Sequence, residues 1–449
     1  MRVTWIQPED LIGHELRQAR EAGRDVDGVE ARWLGAGGSP APARGASPEP
    51  VSDDLRALAS ALLDELALLP SPLQAAEPEQ LEEILAAAPG VRALEPVDDL
   101  VDRIRGAWLG RAVGCLLGKP VESLSREGIR AIAEGTGNWP VAGYFTARGL
   151  DPGISERFPW NKASKPTSLV ENINGMPEDD DLNFTMLGVA LLERAGTSFA
   201  SLDVAKIWLD LLPPGRIFTA ERVALRNLLL GLLPPETATQ HNPFREWVGA
   251  RLRVDAYGWA SPGDPERAAR LAFEDARVSH TANGTYAAMF MAAVHAATMG
   301  DVTAAAAAEA GLGVVPADSR LAQAIRLARD QAARAADWES VVDELHAQLG
   351  SLHWVHAINN TALVAAAMYC FDSFDEAICG VVSGGWDTDT NGAAIGSVFG
   401  ALAGTSGIDS RWSAPLHDTV ASSLPGFDGS SIGELAGRSL AVAGLAARA

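Results

Sequence analysis

The chain has 449 residues, 47% of them apolar and 21% charged, the proportions of an ordinary folded protein rather than a disordered, collagenous or disulfide-stapled one. That length allows two or three units of ~150 residues each and a sizeable buried pocket. The formal net charge is −22, and Lys119, Lys162, Lys165 and Lys206 are the only lysines among 36 basic residues; such a field repels polyanions, which argues against nucleic-acid binding and makes bound cations relevant to any anionic substrate.

The three cysteines, Cys115, Cys370 and Cys379, have no metal-ligand spacing, and an odd count is unlike a secreted disulfide framework. The opening MRVTWIQPEDLIGHELRQAR has no basic region followed by an apolar stretch, so no signal peptide is read there. Apolar runs such as Ala393 to Ala403 fall short of the roughly 20 residues of a membrane helix. A cytoplasmic, membrane-free monomer is expected.

Along the chain, residues 1–34 read as a short amphipathic piece and Gly35 to Pro50, rich in Gly, Pro, Ser and Ala, as a flexible linker. Residues 51–96 read as accessory helices: Asp53, Leu55, Leu58, Leu62, Leu66 and Leu69 keep a helical period, and Gln80 to Ala88 follow Pro72 and Pro78. Residues 97–449 form the main body. Helical periodicity runs over Leu182 to Ala195, Arg267 to Val278, Asn283 to Met299, Arg320 to Ala336 and Trp338 to Leu349, with Asp337 as an N-cap for the last. Alternating strand patterns are scarce, so an all-α, multi-helix fold is expected. Two segments carry glycine at every fourth position, Gly106, Gly110, Gly114 and Gly118 in one and Gly392, Gly396, Gly400 and Gly404 in the other. Each costs about 1 kcal/mol against alanine inside a helix; close helix-to-helix approach would compensate, and mutual packing would gather the loops at the helix ends.

Two acidic clusters stand at helix starts. In PEDDDLNFTML, Glu178, Asp179, Asp180 and Asp181 precede a helix, where the dipole favours one or two carboxylates but not four. In SGGWDTDTNGAA, Asp387 and Asp389 alternate with Thr388 and Thr390 behind Gly384 and Gly385, a loop able to approach a ligand closely and offer hard oxygen donors. Many carboxylates and a threonine, without cysteine pairs or histidine pairs, suit Mg²⁺, Ca²⁺ or Mn²⁺ better than Zn²⁺. That many acids could hold two ions about 3.5–4 Å apart.

The ordered segments GAWLGRAVGCLLGKPVE (Gly106 to Glu122), EDDDLNFTMLGVALLE (Glu178 to Glu193), VSHTANGTYAAMF (Val278 to Phe290) and GGWDTDTNGAAIGSVFGALAG (Gly384 to Gly404) resemble the motifs of the ADP-ribosylglycohydrolases, a group that includes the dinitrogenase reductase-activating glycohydrolase. The resemblance implies an all-helical domain with two Mg²⁺ ions, Mn²⁺ being an alternative, that binds the ribose hydroxyls of an ADP-ribosyl substrate and cleaves the bond at its anomeric carbon. By position it implies metal ligation by Asp179, Asp180, Asp181, Asp387, Asp389 and Thr390, with a one-residue shift bringing in Glu178 instead. It also implies Glu122 and Asp180 as catalytic carboxylates and His280, with Gly384, Gly385 and Trp386, near the substrate. Trp386 is either core or a stacking surface. His353 and His356 share a helix face without a third soft ligand, which points to structural roles. The pattern departs from the family at Cys115, where an aspartate is common, at the acid-for-threonine exchange in the second motif, and at the inserted Trp386. Arg251, Arg253, Asp255 and Tyr257 lie in a segment without an obvious family counterpart and are further candidates to face a ligand.

Two other readings compete. Asp387-Thr388-Asp389-Thr390 also resembles the nucleophile motif of haloacid dehalogenase-like phosphatases, which needs a preceding buried strand and a downstream lysine; no lysine follows Lys206. A non-catalytic, crystallin-like member of the same fold that binds metal or nucleotide without hydrolysis is the second.

Overall fold

The computed structural model describes residues 3–42, 45–47 and 49–446; part of the Gly35–Pro50 segment lies outside them. Among the described residues the fold is all-α, with isolated bridges such as Trp247 to His356 but no strand. No described helix is long and apolar enough to cross a membrane. Local chemistry sets the helix starts. Ser52 accepts from Leu55 N at the start of Asp53–Ala67, which buries Ala59, Leu62, Leu63 and Leu66. Asp337 caps Trp338–Leu349 by accepting from Ser340 N, as its spacing predicts. The helix Ala282–Ala297 is buried on every side from Asn283 onward, because alanine, phenylalanine and methionine ring it without a polar stripe.

The two glycine-striped segments are the helices Leu100–Gly118 and Thr388–Ala403, and they lie against each other in antiparallel fashion. A Cβ added at Gly106 would stand 2.1 Å from Gly400 O, one at Gly110 2.0 Å from Gly396 O, and one at Gly114 1.9 Å from Gly392 O. Only hydrogen fits there, so the backbones touch along three turns. Antiparallel contact sets the end of one helix beside the start of the other, where Thr388 Oγ1 donates to Gly118 O at 2.8 Å. Asp387 and Asp389 are thereby carried to Lys119 and Glu122.

The N-terminal part forms its own apolar cluster, in which Leu11, Ile12, Leu16 and Trp33 meet Leu62, Leu63, Leu66, Val223, Phe244 and Trp247. Described residues of the Gly35–Pro50 segment lie against the helices Pro8–Glu21 and Asp27–Gly35: Ser47 N donates to Asp10 Oδ1 at 2.8 Å, Trp33 Nε1 donates to Ser39 O at 2.8 Å, and Gly13 leaves room for the Ala41 backbone. Buried ions join this part to the body. Arg245 forks onto Glu15 at 2.6 and 2.9 Å, and Arg320 joins Glu77 to Glu246, each at 2.8 Å.

Three histidines lie in the same junction. His353 stacks on Trp247 with centroids 4.2 Å apart, His14 packs edge-on against both, and His356 caps its helix by accepting from Ile358 N at 3.2 Å, the structural roles expected of His353 and His356. Burial first, and Arg17 second, lowers His14 to about 4; burial lowers His353 and His356 to about 3, with Arg17 leading the further terms for His353 and Arg320 for His356. The unfolded chain therefore binds protons below the ordinary value near 6.5 that the folded chain refuses, so stability is present above that pH and is lost as pH falls from about 6.5 toward 4. At about 1.4 kcal/mol per unit and histidine, melting at pH 5 is expected well below melting at pH 7.5, by the equivalent of a few kcal/mol. His353→Phe, which keeps the stack and removes one titration, should flatten that dependence in part; an unchanged slope would rule out His353 as a contributor.

Candidate metal centre and active site

Both acidic clusters open helices, where free N–H groups and the dipole favour anions. Asp179 caps Asp180–Ala195 by accepting from Asp181 N at 2.9 Å, and Asp387 precedes Thr388–Ala403. The structure brings them together: Thr390 Oγ1 donates to Asp181 Oδ2 at 3.1 Å. Six carboxylates, Glu122, Asp179, Asp180, Asp181, Asp387 and Asp389, share one mutually perturbed region. Asp179, Asp181, Asp387, Asp389 and Thr390 are buried, while Glu122 and Asp180 are half-buried. Access is therefore from the side of the latter two.

Oxygens and sulfur gather in two groups, each with its ligand atoms within 4.8 Å of one another: Cys115, Asp179 and Asp181, and Glu122, Asp387 and Asp389. In the first group Lys119 Nζ pairs with Asp179 and Arg111 Nη2 reaches Asp181 Oδ1 at 3.2 Å. In the second, among the described residues, no basic side chain comes within ion-pair distance, and Asn161 Nδ2 donates to Glu122 Oε2 at 2.6 Å.

The electrostatics follow. Burial raises Asp180, Asp181, Asp387 and Glu122 well above the ordinary carboxylate range, and neighbouring carboxylates add to it, Asp179 for the first two and Asp389 for the last two. Asp389 is raised by burial and by Asp179. Burial acts on Asp179 too, but the adjacent Lys119 ammonium outweighs it and holds the carboxyl below its usual range. Lys119 is raised in turn, since Asp179 more than offsets its burial. The centre holds more negative charge than its cations compensate. Glu122, Asp387 and Asp389 are hard oxygen donors without a cationic partner, and this set fits a hard divalent cation.

Arg111, which sequence reasoning did not single out, locks the frame. Its guanidinium donates to Asp181 O at 2.8 and 3.1 Å, to both oxygens of Asp255 at 3.0 Å, and to Leu252 O. Asn360 is a second missed residue: its Oδ1 accepts from Asp387 N at 3.1 Å and from Asn391 Nδ2 at 2.7 Å. Arg251 Nη2 donates to Asn391 Oδ1 at 2.6 Å; burial lowers Arg251 to about 10 against the opposing pull of Asp387 and Asp181. The signal for these was a polar residue inside an apolar helical run.

The remaining candidates sit as follows. Gly385 and Trp386 form the turn into the Thr388–Ala403 helix with positive φ, +82° and +62°. The strained tryptophan is held by His346, stacked at 4.1 Å, whose Nε2 donates to Gly384 O at 2.8 Å. Trp386 is buried and packs with the core. His280 is not brought to the carboxylates. It is buried, its Nδ1 lies 2.8 Å from Ser279 Oγ and its Nε2 accepts from Ala250 N at 3.3 Å; burial holds it well below its ordinary value, so it is neutral. Arg253, Asp255 and Tyr257 also turn inward: Arg253 pairs with Glu221 and Asp275, Tyr257 Oη donates to Asp275 Oδ2 at 2.6 Å, and Asp255 is taken by Arg111. Glu178 faces Asn183 and Arg216, outside both groups. Helix Phe374–Ser383, not a strand, precedes Asp387, which removes the phosphatase reading. A concavity of about 660 Å³ lined by Glu193, Asp428 and Arg438 lies apart from these residues.

Comparison with known proteins adds the family. An uncharacterized protein of Archaeoglobus fulgidus is 28% identical over 328 residues, covering 71% of this chain and 92% of its own length. A solved structure described as an ADP-ribosylglycohydrolase-related protein complex is 21% identical, with 78% of this chain and all of that one aligned at a TM-score of 0.42. The family model for ADP-ribosylglycohydrolase matches residues 96–448, the stretch that contains both glycine-striped helices and all six gathered carboxylates, and the chain belongs to the ADP-ribosylglycohydrolase family.

Proposed function

We propose that this protein is a Mg²⁺-dependent glycohydrolase acting on the anomeric bond of an ADP-ribosyl or related ribosyl substrate. The body, residues 97–449, carries the chemistry, and residues 1–50 and 51–96 are accessory. The observation that carries the reading is the group Glu122, Asp387 and Asp389, three carboxylates with oxygens within 4.8 Å of one another and, among the described residues, no basic side chain within ion-pair distance. A divalent cation bound there supplies charge that polarises ribose oxygens. Asp387 and Asp389 would hold it, and Glu122 is placed at its half-buried edge, oriented by Asn161. Half-buried and held by Asn161, Glu122 is the carboxylate placed to exchange a proton with the departing group. Asp180, half-buried and without an ion-pair partner among the described residues, is the second carboxylate at the entrance. Asp181 and Thr390 bind one another and fix the frame.

Calorimetric titration of ADP-ribose into the purified protein with Mg²⁺, then with EDTA, tests this. Binding that requires Mg²⁺ and weakens at least tenfold, about 1.4 kcal/mol, in Asp389→Ala is the expected result. Equal binding in Mg²⁺ and EDTA, or an Asp389→Ala protein that binds as the parent does, would sink it. Metal-dependent binding without release of ribosyl product from any ADP-ribosylated substrate would favour the non-catalytic reading.

A further inference from the structure

We infer that Lys119 occupies, as a covalently attached cation, one of the two positive positions of this centre, so that the chain takes a single divalent ion, held by Asp387 and Asp389 beside Glu122. This rests on the metal-centre reading above and departs from the two ions that the family resemblance implies.

The two ligand groups differ in what already neutralises them. In the group of Cys115, Asp179 and Asp181, each carboxylate has a basic partner: Lys119 Nζ on Asp179, and Arg111 on Asp181 at 3.2 Å. Asp181 also accepts from Thr390 Oγ1 at 3.1 Å. The third member offers sulfur, a soft donor that Mg²⁺ and Mn²⁺ take poorly. The group of Glu122, Asp387 and Asp389 has no sulfur and, among the described residues, no basic side chain within ion-pair distance, although Lys119 is close enough to act on Glu122 and Asp389.

Lys119 is suited to the position. It is the only buried lysine of the four, Lys162, Lys165 and Lys206 being exposed. It directly follows the helix Leu100–Gly118, whose dipole favours a cation at that end. A lysine ammonium is a compact point charge on a flexible stem, unlike the planar guanidinium of the far commoner arginine, and it can sit where a small ion would. A divalent ion entering the first group would have to displace that ammonium from Asp179 and leave it buried without a partner, at a cost of several kcal/mol, or stand beside it with like charges a few ångströms apart.

The test is the number of Mn²⁺ ions bound per chain, measured by calorimetric titration and by electron paramagnetic resonance, for the parent and for Lys119→Met, with circular dichroism and melting to establish that the variant is folded. We expect one ion in the parent and two in Lys119→Met, in which Asp179 is released. Two ions in the parent, or one in a folded Lys119→Met protein, would overturn the role of Lys119 while leaving the metal centre standing; no Mn²⁺ in the parent would overturn both. Should Lys119→Met fail to fold, anomalous scattering from Mn²⁺-soaked crystals of the parent decides the matter. One peak at Glu122, Asp387 and Asp389 supports the inference, and a second peak between Asp179 and Asp181 refutes it.

Discussion

Gly114→Ala is expected to destabilise the protein by more than about 3 kcal/mol, beyond the usual range for overpacked cores, and to lower its Tm by several degrees or more. The added methyl would stand 1.9 Å from Gly392 O and 2.5 Å from Gly392 C. Those are backbone atoms, so no side-chain rotamer can relieve the clash and the two helices must separate. Alanine would otherwise gain about 1 kcal/mol of helix propensity over glycine, which makes the sign of the result informative. The control is Gly437→Ala in the helix Ile432–Ala446, where a Cβ meets nothing within 4 Å; there the same exchange should leave stability unchanged or improve it. Because the helix pair sets Lys119 and Glu122 beside Asp387 and Asp389, Gly114→Ala should also weaken cation binding without touching a carboxylate. A Gly114→Ala protein as stable as the parent would refute the backbone contact.

Arg111→Met comes next in size, with an expected cost of about 3–5 kcal/mol, typical of removing one partner from a buried ion pair. Asp181 and Asp255 are 2% and 0% exposed, and Arg111 is the basic side chain bonded to both. Its loss leaves two carboxylates in low dielectric and frees the carbonyls of Asp181 and Leu252. The denaturant midpoint should fall accordingly, while Arg194→Met, which removes the exposed pair with Asp210, should not shift it measurably. Added Mn²⁺ should recover part of the Arg111→Met loss, since a bound cation stabilises the folded state it selects. A variant as stable as the parent would mean that the Asp181–Arg111–Asp255 bridge contributes nothing net.

Wherever a requirement is local, it was legible in the chain. The fourfold glycine spacing pointed to close helix approach as the simplest compensation for four glycines on one helix face, and the contact lies between the two striped helices. Asp337 as a cap and a helix behind the first acidic cluster followed from capping chemistry; His353 and His356 pack as structural residues, but His356 caps the helix Ala357–Cys370 and His353 precedes it, so they do not share the helix face their spacing suggested. The order of the four motifs carried the family. Partners separated along the chain were another matter. Lys119 read as an ordinary residue before a proline, yet it pairs with Asp179, 60 residues away. Arg111 reaches Asp181 and Asp255 across 70 and 144 residues. His280 sat in a motif, but only the tertiary structure shows that it is buried and hydrogen-bonded to Ser279 and Ala250.

By itself, then, the sequence determined the helical class, the two helix faces that must touch and the two acidic helix starts, since helix period, capping and glycine's missing Cβ act over a few residues and leave a periodic trace. Only the tertiary structure decided which carboxylates are already neutralised and which are not. That depends on charges meeting through space in a dry interior, where a partner a few ångströms away outweighs everything adjacent in the chain.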